Sequence, residues 1–66
     1  MHISIKKVSR LMGAKLMTQQ ALADAAGVSR VTINATLLKG SCSTRTAGKI
    51  AAALDVSPAE IVEQEV

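Results

Sequence analysis

The sequence predicts an all-α fold, a compact domain of five short helices, on three observations. Apolar residues recur at helical spacing, and no segment alternates convincingly with period two. Ser or Thr stands where each apolar pattern begins, and Gly closes two of them. The chain has only 66 residues, which makes one domain over 1–66. A domain of this size buries about 60% of its unfolded surface, so its core must be tight or be completed by a second subunit.

The first helix is expected to start after Ser4 and run to about Lys15. Ile5, Val8 and Met12 follow i, i+3, i+7 spacing, Leu11 lies beside them, and Lys6, Lys7 and Arg10 fall largely off that face. Gly13 weakens its end. The second helix starts at Thr18, an N-cap residue, and stops at Gly27, with Leu22, Ala25 and Ala26 pointing inward. Ser29 caps the third helix, Ile33 and Leu37 form its buried stripe, and Gly40 closes it. After the polar turn Ser41-Cys42-Ser43, the fourth helix, capped by Ser43 or Thr44, sets Ala47, Ile50, Ala51 and Leu54 at i, i+3, i+4 and i+7. The fifth begins at Ser57-Pro58-Ala59-Glu60, with Ser at N-cap, Pro at N1 and Glu at N3. It is expected to run as an acidic helix over about 58–66 and to fray at its end.

Composition narrows the function. There are eight Lys and Arg against five Asp and Glu, a net charge of +3, and no aromatic residue. Binding of single-stranded nucleic acid by stacking bases on aromatic rings is thereby disfavoured. Every Lys and Arg lies at or before Lys49, while Asp55, Glu60, Glu63 and Glu65 lie after it. Up to Leu54, eight bases face Asp24 alone, a balance of +7. Such a body suits a polyanion, although a solvated basic surface reads the same on charge alone. Cys42 is the only cysteine, so a disulfide framework is excluded and a reducing compartment fits better. No apolar run approaches the roughly 20 residues that span a bilayer, and no signal-peptide pattern opens the chain. The expectation is a cytoplasmic protein of bacterial or phage origin.

The informative stretch is Gln19 to Leu38, QQALADAAGVSRVTINATLL. Two short helices meet at Ala26-Gly27-Val28-Ser29. Ala23 is small enough for a close helix crossing, and Gly27 permits a left-handed turn. Val28 plugs the core, Ser29 caps the next helix, and Leu22 and Ile33 anchor the two helices. This geometry projects the first turn of the second helix outward, as a helix-turn-helix over about 19–38 must to reach base edges in the major groove.

The segment MTQQALADAAGVSRVTI resembles the helix-turn-helix of the phage repressor and Cro family, the xenobiotic-response-element type of transcriptional regulators. The stretch KIAAALDVSPAEIV is similar to that family's fourth and fifth helices. The resemblance implies a lambda-repressor-like five-helix domain that binds operator DNA, usually as a dimer. Gln19 matches the family's phosphate-binding glutamine. One departure stands at Thr36, where the family commonly carries a hydrophobic residue. With the later Gly40, it predicts an extended or rotated end to the recognition helix near Lys39.

Arg30, first in the recognition helix, can donate two hydrogen bonds to guanine O6 and N7, or else contact phosphate or water. Val31 is placed to touch a thymine methyl; the alternative is a core contact with the first helix. Asn34, one turn on, can read adenine through N6 and N7, or stand as a neutral surface residue. Ser29 joins the base-facing set, and Ala35 is short enough for close approach, or simply helix filler. Gln19 at a helix N-terminus favours an anion. Thr32, which can contact phosphate or base or else only pack, joins Lys15, Lys39 and Arg45 as candidate phosphate contacts, with Lys49 beside them, and a share of these charges is simply solvated. Val62 and Val66, four apart on the fifth helix, form a stripe without a partner in the chain and are the candidate dimer contact, Val62 alternatively packing inward. Cys42 is read as an idle thiol, His2 as solvated with no ligand partner at metal spacing, and the methionines as core filling.

One His, no paired carboxylates in the body and no Gly-rich phosphate loop leave nothing for acid–base or nucleophilic chemistry, so no catalytic residue, metal or cofactor is expected. The reading is a transcriptional repressor or regulator that binds double-stranded DNA sequence-specifically on a near-palindromic operator, as a weak homodimer that DNA stabilises, with no membrane partner and no small-molecule ligand. The alternative class is a protein-interaction module, such as an antitoxin or antirepressor-like factor, docking through the acidic tail.

Overall fold

The computed structural model describes residues 1–63 of the chain. Its helices are α1 (Ile5–Ala14), α2 (Gln19–Ala26), α3 (Arg30–Lys39), α4 (Thr44–Ala53) and α5 (Pro58–Ile61). Each begins where a hydroxyl was expected to cap it. Ser4, Thr18, Ser29, Ser43 and Ser57 are extended, and each side-chain oxygen accepts an amide of the first helical turn. That satisfies one of the donors every helix start leaves orphaned, typically ~1 kcal/mol per cap. Gly27 (φ 72°) and Gly40 (φ 68°) end α2 and α3 in the left-handed conformation.

The core is aliphatic. Ile3, Val8, Leu22, Ile33, Ile50, Leu54 and Ile61 are fully buried, and Met12, Ala23, Ala47 and Ala51 fill the space between them. α2 packs on both α3 and α4, α4 on α5, and α5 on α1. Ala23 is fully buried, and its small side chain leaves room for a close helix crossing.

Six features differ from the expectation, the first two being that Ile5, expected on the apolar face of α1, is 40% exposed and that Met1, expected to fill the core, is 49% exposed. Ala25 is exposed, whereas Ala23 and Ala26 are buried. At 100° per residue, the arc from Leu22 through Ala26 to Ala23 faces the core and Ala25 falls off its edge. Thr36, at the position where the resemblance lacks a hydrophobic residue, is only 4% exposed. It takes the core position, α3 runs to Lys39, and Leu37 is half-buried beside it. α5 stops at Ile61, and Val62 is extended (φ −76°, ψ 130°). The helix expected over about 58–66 therefore spans Pro58–Ile61, and its residues 64–66 lie outside the described part. Finally, the N-terminal segment belongs to the core. Ile3 is 1% exposed and forms an isolated antiparallel bridge with Val62, as His2 does with Ser41. The Ile3 amide donates to the Gly40 carbonyl (2.9 Å), the Ser4 amide to Ile61 (2.7 Å), the Cys42 amide to Met1 (3.0 Å) and the Glu63 amide to His2 (2.9 Å). These bonds tie the end of α3 to the end of α5.

Candidate nucleic-acid interface

The turn from α2 into α3 sets the geometry of the site. The Gly27 amide donates to Asp24 and the Val28 amide to Ala23, closing α2 around the left-handed glycine. Val28 packs against the core. Ser29 then starts α3: its Oγ accepts the Thr32 amide at 3.1 Å and lies 2.9 Å from Thr32 Oγ1. Both hydroxyls are thus held at the start of the helix, and the turn that carries Arg30 and Val31 is fixed between them. Ile33 and Thr36 secure the opposite face in the core.

Three of the five residues expected to read bases and one of the five expected to contact phosphate come together. Gln19, Arg30, Val31 and Asn34 line one open depression of about 300 Å³ on the surface formed by α2 and α3. Gln19 is the first residue of α2, so the free amides of that helix start beside it. Arg30 and Asn34 are exposed and one turn apart. Val31 is 77% exposed, which rules out the core contact with α1. Ala35 is half-buried on the same side. Asp24, the one acid of the cationic body, is engaged by Gln20, whose Nε2 donates to it at 3.0 Å.

The remaining cations are spread out. Lys15 is exposed at the end of α1, and Arg45 and Lys49 are exposed along α4. Lys39 lines a different depression, with His2, Lys6 and Glu63, at the far end of α3 from Arg30. Val62 is half-buried and extended, so the helical stripe expected to join it to Val66 does not form at Val62; Val66 lies outside the described residues. Burial pushes the Cys42 thiol up. Among the described residues, no group of three His, Cys, Asp or Glu side chains converges on a metal position, and no helix is long and apolar enough to cross a membrane.

Leu38 was missed as a surface residue. It is 76% exposed, and its position seven residues after Val31 was the available signal.

Among solved structures, the restriction-modification controller protein C.AhdI from Aeromonas hydrophila is similar at 29% identity and a TM-score of 0.74, over 85% of this chain and 86% of that one. PhpD, solved with cadmium atoms, contains a region similar to the whole chain at 27% identity and a TM-score of 0.82. This chain spans 14% of the length of PhpD. No curated protein matches it. The family model of the Cro/C1-type helix-turn-helix DNA-binding domain matches residues 7–65. With α2, the Gly27 turn and α3 arranged as described, the chain belongs to the Cro/C1-type helix-turn-helix DNA-binding domain family.

Proposed function

We infer that this protein is a sequence-specific transcriptional regulator that lays α3 in the major groove of double-stranded DNA. The observation that carries the reading is the shared depression lined by Gln19, Arg30, Val31 and Asn34. In it an amide-bearing helix start, suited to a phosphate, adjoins a guanidinium, a carboxamide and an apolar group suited to base edges. Arg30 reads guanine, Asn34 reads adenine, and Val31 touches a thymine methyl, with Ser29 and Ala35 at the edges of this set. Gln19, Thr32, Lys15, Lys39 and Arg45 contact phosphates and set register and affinity rather than sequence. The likeness to a restriction-modification controller supports a regulatory role, and a repressor is the simplest form of it: a domain lying on an operator blocks access to it.

One recognition helix buries little surface, so two subunits bind together. A two-fold dimer places its recognition helices about 34 Å apart, one turn of DNA, and reads a near-palindromic operator. The contact runs through the C-terminal segment that begins at Val62, with Val66 in the same segment. It is weak in free protein and stabilised by DNA through mass action.

The test is a titration of a random-sequence duplex across a salt series. If about five phosphates are neutralised, log K falls with log salt at a slope of about −4 to −5. A slope near zero, or no binding at low salt, contradicts a groove-docked cationic domain. The latter outcome favours the protein-interaction alternative.

A further inference from the structure

Among the described residues, two of the five exposed large hydrophobics, Val31 (77%) and Leu38 (76%), lie on α3. At about 100° per residue they are seven positions and only about 20° apart, and Ala35 lies about 40° from Val31. The core face of the same helix, Ile33, Thr36 and Leu37, points the opposite way. The centre line of the outward face is therefore apolar. Its polar residues sit at the flanks, Arg30 and Asn34 on one side and Thr32 and Lys39 on the other. Water meets this ridge in the free protein. Flanking cations and the α2 start suit a polyanion, and the apolar centre needs apolar groups to cover it. The major groove offers one apolar group, the C5 methyl of a pyrimidine.

We propose that Val31, Ala35 and Leu38 form a methyl-reading ridge, so that this domain selects sites carrying C5-methylated pyrimidines, thymine or cytosine methylated at C5. Leu38 is a specificity-determining residue in this account, which rests on the groove-docked reading above. From Val31 to Leu38 the helix rises about 10 Å, room for about three base-pair steps along the groove. The ridge thus spans methyl groups on more than one base pair of a half-site, while Arg30 and Asn34 add polar discrimination at its edge.

The experiment begins with sites selected from a random duplex pool by the intact protein. Each selected thymine is then replaced by deoxyuridine, which keeps every hydrogen-bonding group and lacks only the methyl. In a parallel arm, selected cytosines are compared with 5-methylcytosine. Each methyl buried against the ridge is expected to change affinity about 3- to 5-fold. Val31→Ala and Leu38→Ala should each shrink the affinity difference between the methylated and the demethylated duplex. Loss on uracil substitution identifies thymine as the group read; gain on cytosine methylation identifies methylcytosine. Either result supports the ridge. Tight, selective binding that is indifferent to both replacements overturns it while leaving the DNA-binding reading intact. Failure to enrich any sequence, with no binding to the starting pool, overturns both.

Discussion

Ser29 and Thr32 are joined twice, through the Thr32 amide at 3.1 Å and through their hydroxyls at 2.9 Å. The same pair recurs on α4, where Ser43 Oγ lies 3.2 Å from the Thr46 amide and 3.0 Å from Thr46 Oγ1. One pair therefore controls for the other. Ser29→Ala and Ser43→Ala should each cost about 1 kcal/mol of stability in urea denaturation. Only Ser29→Ala should also reduce the ratio of operator to random-duplex affinity, because only that cap aims Arg30 and Val31. Equal effects of the two substitutions on that ratio would remove Ser29 from the interface.

The N-terminal segment is a second point of test. Ile3 fills the core between the end of α3 and the end of α5, and its amide bonds Gly40. Ile3→Ala should cost about 2–5 kcal/mol, a large share of what a domain this small has to lose. Thermal denaturation followed by circular dichroism measures it. A loss below 1 kcal/mol would mean that the segment does not contribute to the core as the structure shows.

The five helix starts were legible because capping is local: a hydroxyl and the amide two or three residues on are neighbours in sequence. Gly27 and Gly40 were legible for the same reason. The packing of Ile3 was not, since its partners lie some 37 and 59 positions away and three residues carry no periodicity. Thr36 misled because a threonine reads as polar, yet its methyl and its place on the helix put it in the core. The end of α5 was unreadable because Ser57-Pro58 signals a start and nothing after Ile61 signals a stop. At the candidate site, spacing alone grouped Arg30 with Asn34, and the turn at Gly27 brought Gln19 to them. Leu38 was not legible because an apolar residue near a helix end reads as core until the packing of Ile33 and Thr36 fixes which face is buried.

The two left-handed glycines differ in surroundings. A Cβ on Gly27 would meet nothing within 4 Å, whereas one on Gly40 would stand 3.3 Å from Ile5 Cδ1. Gly27→Ala should cost only its backbone conformation, about 1–2 kcal/mol. Gly40→Ala should cost more, and unfolding midpoints in urea give the order. The reverse order would show that the Ile5 side chain yields freely.

The dimer is tested by Val62→Glu. The substitution brings like charges together across a two-fold axis, so sedimentation should show more monomer and operator binding should lose cooperativity. Circular dichroism checks that the helical fold survives the substitution. An unchanged sedimentation profile with unchanged operator affinity would place the subunit contact elsewhere.

The most direct test of the recognition geometry compares Arg30→Ala, Asn34→Ala and Gln19→Ala on a selected operator and on random duplex at fixed salt. The account predicts that Arg30→Ala and Asn34→Ala each lose about 1–3 kcal/mol on the operator and almost nothing on random duplex. Gln19→Ala should weaken both duplexes alike. Losses of the same size on both duplexes for all three variants would contradict base reading from the start of α3.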